Sequence, residues 1–214
     1  MRPLQQILVE GNSDDGIIVY HASRRRFSNF NDGKIRNALT AGFGHYFTES
    51  PDLAVRFLND RSGFLYKVRL NVTDDELAYA FQPLGQQPNA LRAFENVVKT
   101  FNPKQDDRMF SGIDPGRDAA SVRRIRYSLG EMSWNMAMSR LAGVLAGGGD
   151  TKDRYQRKAA ELMKEQGIRA VCYHDLGAPA GVYNFNCFDS SRIQILECRK
   201  VEGTRSWWEP DPNY

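Results

Sequence analysis

Between Phe64 and Val72 the chain alternates without a break. Phe64, Tyr66, Val68, Leu70 and Val72 fall on one side, and Leu65, Lys67, Arg69 and Asn71 on the other. A period of two belongs to an extended strand, since a helix would smear these residues around its whole circumference. The segment therefore predicts a half-buried strand, and a chain that contains it must build a sheet. Shorter β-rich runs surround it: 16–21, a glycine-flexed approach at 42–48, then 170–173, 183–188 and 192–198. Helix signals are fewer. Ser50-Pro51-Asp52 is a capped start, 131–145 is an apolar candidate, and 151–166 carries a stripe of Tyr155, Ala159, Leu162 and Met163, capped by Thr151 and stopped at Gly167. No strand-helix-strand alternation runs through the chain. The expected class is α+β with mostly antiparallel pairing.

Composition narrows the setting more than the function. A length of 214 residues suits one domain, and such a domain buries roughly 70% of its unfolded surface, enough to need no disulfide or metal. No stretch approaches the ~18 apolar residues of a membrane span. Residues 1–15 hold Arg2, Gln5, Gln6, Glu10, Asp14 and Asp15 and lack the apolar core of a signal peptide. The three cysteines, Cys172, Cys187 and Cys198, lack metal spacing and read as reduced thiols, so a cytoplasmic setting is expected. A net charge of +3 is too small to argue for nucleic acid. The expected organisation is an extension at 1–15, a domain at 16–200 with a loop and helical insertion at 102–150, and a tail at 201–214 carrying Trp207 and Trp208. The insertion contains Arg117, Arg123, Arg124 and Arg126, a stretch able to hold a target.

Chemistry-bearing residues gather at strand edges: His21-Ala22-Ser23, Gly44-His45-Tyr46-Phe47-Thr48, and Asn184. Taken singly, each has a plain reading as a hydrogen-bonded histidine, a core aromatic pair, or an asparagine satisfying backbone groups. His21, His45, His174 and Cys172 have no metal-ligand spacing, so no metal site is expected. No Gly-x-Gly-x-x-Gly fingerprint is present.

The order of the motifs is more informative. Tyr20-His21-Ala22-Ser23, then Gly44-His45-Tyr46-Phe47-Thr48 running into a helix with Ala54, resembles the ADP-ribosyltransferases of the diphtheria toxin and poly(ADP-ribose) polymerase clade. It is most similar to the small domains of phage polyvalent proteins and bacterial effectors. Further matching segments are 66–72, Pro83-Leu84-Gly85-Gln86-Gln87, 165–173, and Tyr183-Asn184-Phe185-Asn186-Cys187-Phe188-Asp189.

The resemblance implies a split pair of small antiparallel sheets around an NAD cleft. It also implies mono-ADP-ribosyl transfer from NAD to a macromolecular acceptor, a host protein in preference to nucleic acid, inside the cytoplasm or after delivery into a host cell. Catalysis would fall to His21, Tyr46 and Asn184. His21 would hydrogen-bond the adenosine ribose, main-chain groups of Ala22 would meet the nicotinamide amide, and Ser23 would contact the neighbouring ribose. Tyr46 would stack on nicotinamide, with Gly44 and Phe47 completing the NAD contacts. Arg24-Arg25-Arg26 would be in reach of the pyrophosphate or of an acidic target. Two positions depart from the pattern. Ala22 stands where glycine is usual, and Asn184 stands at the usual catalytic glutamate. Asparagine can hold a ribose hydroxyl but cannot act as a base, which argues against chain elongation. A non-catalytic NAD-binding module and an NAD glycohydrolase remain as alternatives. Glu49, Glu131 and Glu202 are the places to look for another carboxylate.

Overall fold

The alternating segment is a strand, β3 (Gly63–Leu70). It pairs antiparallel with β1 (Ile17–Ser23) along one edge and β7 (Ile193–Val201) along the other. The computed structural model describes residues 16–35, 42–100, 129–145, 153–174 and 178–202. The predicted extension at 1–15, the four-arginine stretch, the Thr151 cap and the tryptophan tail lie outside them.

On β3 the face with Tyr66, Val68 and Leu70 is buried as expected. Leu65, on the face read as polar, is also buried. Helix α1 (Pro51–Arg56) and Leu58 behind it lie on that side, and a methyl at Gly63 would strike the Leu58 side chain at 2.7 Å. That helix starts where the sequence puts it, with Pro51 in its first turn and the Ser50 hydroxyl accepting the Leu53 N–H at 3.2 Å.

The remaining strands are β2 (His45–Thr48), β4 (Leu77–Tyr79), β5 (Ala170–Tyr173) and β6 (Asn184–Cys187). The seven strands run in the order β4-β5-β6-β2-β1-β3-β7, antiparallel except for the β4–β5 pair. They join into one open sheet because Tyr20 pairs with Thr48. That is the single register pair between β1 and β2, whereas β1 and β3 are paired from end to end. Beyond it the two strands part. The sheet thus consists of two halves, β4-β5-β6-β2 and β1-β3-β7, meeting at a narrow seam.

The halves bend toward each other. One apolar cluster mixes Val19, Tyr66, Val68 and Leu70 of one half with Phe47, Leu77, Cys172 and Phe185 of the other. The short connection from β3 to β4 requires this, and Glu76 within it clamps the far ends. Its carboxylate meets Arg192, ahead of β7, at 2.5 Å and Arg169, ahead of β5, at 3.7 Å. On the opposite face, α2 (Pro88–Thr100), α3 (Trp134–Leu145) and α4 (Asp153–Glu165) cover the larger half. Phe94, Trp134, Leu141 and Met163 pack there in one cluster with Val171 and Tyr173. The sequence reading assigns no element to 88–100, yet Ala90, Ala93, Phe94 and Val97 bury one face of α2. Helix α4 ends at Gly167, whose φ of +92° favours glycine, with Ile168 N–H donating to the Met163 carbonyl. No described helix is long and apolar enough to cross a membrane.

Candidate functional site

The seam is crossed a second time, by a side chain. His21 Nδ1 lies 2.9 Å from the carbonyl oxygen of Tyr46, so β1 and β2 are tied by an imidazole where their backbones have separated. The ring sits in an aromatic nest, with centroids of Phe30 at 5.3 Å, Phe47 at 5.8 Å, Phe27 at 6.0 Å and Tyr66 at 6.2 Å. Burial among these rings, opposed by the bond to Tyr46 and assisted by nearby His45, holds its pKa down at about 4. At neutral pH the ring is therefore uncharged. A carbonyl accepts only from an N–H, so the proton is on Nδ1 and Nε2 is left as an acceptor. Whatever meets Nε2 has to be a hydrogen-bond donor.

A polar patch is built on the opposite face of the larger half-sheet. Tyr46 lies opposite Asn186 and Thr48 opposite Asn184, and Asn184 also faces Tyr173 on β5. Thr48, Asn184 and Asn186 are 2%, 3% and 0% exposed, an unusual depth for three adjacent polar side chains. The Asn184 Oδ1 is buried with no hydrogen-bond partner among the described residues. An orphaned buried acceptor costs on the order of 1–3 kcal/mol. Tyr46 donates its hydroxyl to the Gly42 carbonyl, and its ring meets Tyr173 edge-on at 6.4 Å. Gly44 is required by close approach, since a Cβ there would fall 1.8 Å from the Asn186 Oδ1.

The other predicted residues divide by face. Phe47 is in the core beneath His21, and Asn184 and Tyr46 share the other side. His21 therefore joins Tyr46 through the backbone of β2, not side chain to side chain. Ala22 sits in β1 opposite Leu65, outside the positive-φ region that would demand glycine. Past Tyr20 no register pair joins β1 to β2, so Ala22 and Ser23 have partners on β3 but none on β2. The Ser23 hydroxyl accepts the Arg25 N–H at 3.3 Å, and Arg24, Arg25 and Arg26 are exposed beside it. Cys172 and Cys187 are buried, and burial pushes the Cys172 thiol above its ordinary range and the Cys187 thiol up to about 12.

Of the three glutamates, Glu131 and Glu202 are exposed, while Glu49 immediately follows β2 and accepts the Tyr183 N–H. The sequence reading has no counterpart for the latch that holds the loop after β1. Asp32 receives His45 Nε2 at 3.1 Å and the Ser190 N–H at 3.0 Å, and Arg157 donates to the carbonyls of Asp32 and Ile35. These partners come from three segments distant from 32–35, so no local spacing signals them. Phe27, over the imidazole, is held by its own N–H, which donates to the Tyr66 hydroxyl at 2.7 Å.

Set against protein-family models, curated proteins and solved structures, the chain matches none of them.

Proposed function

We propose that this protein transfers ADP-ribose from NAD to a macromolecular acceptor, and that the seam between the half-sheets is the NAD cleft of an ADP-ribosyltransferase-like fold. The observation that carries the reading is the buried Asn184 amide oxygen, without a partner among the described residues, on the face it shares with Tyr46, beside a seam bridged by His21. NAD supplies two ribose diols that donate hydrogen bonds and a nicotinamide glycosidic bond to be broken. These are the groups that the two acceptors, His21 Nε2 on one face of the seam and Asn184 Oδ1 on the other, would receive. His21 Nε2 would take a hydroxyl of the adenosine ribose, held in the required tautomer by Tyr46. The main-chain edge of Ala22 that lacks a β2 partner suits an amide. Asn184 Oδ1 would take a hydroxyl of the other ribose and fix its angle at the seam. Nicotinamide leaves with the bonding electrons, the acceptor atom bonds to ribose C1′, and one proton is released from the acceptor.

Asn184 is neutral, so it orients but does not remove that proton. This chemistry favours a single transfer over chain growth. The same neutrality supports a second reading, an NAD-binding module without catalysis. Incubation with NAD labelled in its adenylate half, together with a cell lysate, separates the outcomes. Label on macromolecules is the expected result. Free labelled ADP-ribose with no macromolecular product would make the protein a glycohydrolase. Bound but unchanged NAD would make it a binding module.

A further inference from the structure

We propose that Glu49 is a positioning residue for Asn184: its carboxylate fixes the backbone at the start of β6 and thereby the pose of the buried amide. In an antiparallel pair the two residues of a hydrogen-bonded position exchange both backbone bonds. Glu49 and Tyr183 stand in the next register position after Thr48 and Asn184, and Glu49 N–H does donate to the Tyr183 carbonyl at 3.0 Å. The return bond is different. Tyr183 N–H goes to Glu49 Oε2 at 2.9 Å, a side-chain oxygen. The reason lies in the next residue, because Ser50 turns the chain into α1 and caps it, so the β2 backbone leaves the ladder here. The carboxylate replaces the lost strand partner with a charge-assisted bond.

The chain upstream of Tyr183 is a turn, with Val182 N–H on the Pro179 carbonyl and Gly181 at φ +80°. Glu49 is therefore the fastening between that turn and the strand carrying Asn184. Among the described residues no cation pairs with Glu49; Cys172 on β5 and Tyr183 itself face it as neutral acids, and His174 packs edge-on against Tyr183 at 6.2 Å. Burial, offset in part by the Tyr183 N–H, raises the Glu49 pKa above its ordinary value, so the fastening is sensitive to pH.

The transferase reading matters here only for the effect on rate, and the decisive measurements need no NAD. Amide exchange at Tyr183 and the side-chain NH2 resonances of Asn184 are followed by NMR in the wild type, Glu49→Ala and Glu49→Gln. Exchange at Tyr183 should rise at least tenfold in Glu49→Ala, with the Asn184 signals displaced. Glu49→Gln, whose amide oxygen still accepts, should restore both while abolishing the pH titration of the Tyr183 amide shift. Unchanged exchange in Glu49→Ala, or Glu49→Gln behaving like alanine, overturns the proposal. Should Glu49→Ala not fold, the pH titration of the Tyr183 amide in the wild type and its loss in Glu49→Gln decide the matter alone. A protein that shows these shifts yet never cleaves NAD retains the fastening and loses the transferase reading.

Discussion

An asparagine amide held at 3% exposure, its oxygen without a partner among the described residues, is the residue on which the proposed chemistry turns. If it orients a ribose, Asn184→Ala should lower transfer about 10²-fold, in the lower range of what a positioned group contributes. Asn184→Glu puts a charge beside the reacting sugar and should raise NAD hydrolysis relative to transfer, because charge stabilisation serves water as well as any acceptor. Full transferase activity in Asn184→Ala, measured with labelled NAD, would sink the assignment. His21 carries the companion test. His21→Ala should weaken NAD binding by roughly 1–3 kcal/mol in calorimetry with the far-ultraviolet dichroism intact. Equal affinity in a folded variant would remove His21 from the site. At this scale the sequence nominates candidate residues but does not give their state. The tautomer of His21 depends on a carbonyl in β2 and four rings from three segments, which no spacing along the chain encodes.

Strands and helices were legible in proportion to how locally they are determined. The long alternation of β3, the Ser50-Pro51 start of α1 and the Gly167 stop of α4 each rest on a local rule, and each stands in the structure. Helix α2 was missed because half of its buried stripe is alanine, which gives little hydropathic contrast. Strand β4 has three residues, too few for alternation to register, and it exists by parallel pairing with β5. Gly44 belongs to this scale because it sets how closely β2 approaches β6. Gly44→Ala must displace the Asn186 side chain and also crowd the Cys187 carbonyl at 3.0 Å. A loss of about 1–3 kcal/mol in urea unfolding is expected, as for other overpacked sites. A change below ~0.5 kcal/mol, the range of an ordinary surface substitution, would mean that the approach is looser than described.

For the molecule as a whole, the histidine in the nest sets a pH dependence. An unfolded His titrates near 6.5 and the folded one near 4, so between these values the unfolded chain binds more protons. Stability from this group is complete above about pH 6.5 and is lost as pH falls toward 4, to the extent of about 3 kcal/mol. Asp32 and Asp189 act lower on the scale. Burial opposes their ionisation, but hydrogen bonds and cations outweigh it: His45, Ser190 and Lys164 for Asp32, and Ser191, Lys164 and Arg169 for Asp189. Their pKa values fall below the ordinary range, so their contribution is lost only as pH drops beneath about 4. Urea midpoints of His21→Gln should therefore stay level from pH 7 to pH 5 while those of the wild type decline. Parallel decline in both would refute the account.

The pairing of Val68 with Ile195 also says when the protein can fold. Most of the chain separates these partners, and the entropy of closing so long a loop must be met before their contact returns anything. Until β7 docks, β3 keeps one edge unpaired and the cluster between the half-sheets stays open on that side. An incomplete or newly made chain in that condition presents an apolar strand edge to its neighbours, the usual template for aggregation. The last described strand thus governs the safety of strands made long before it.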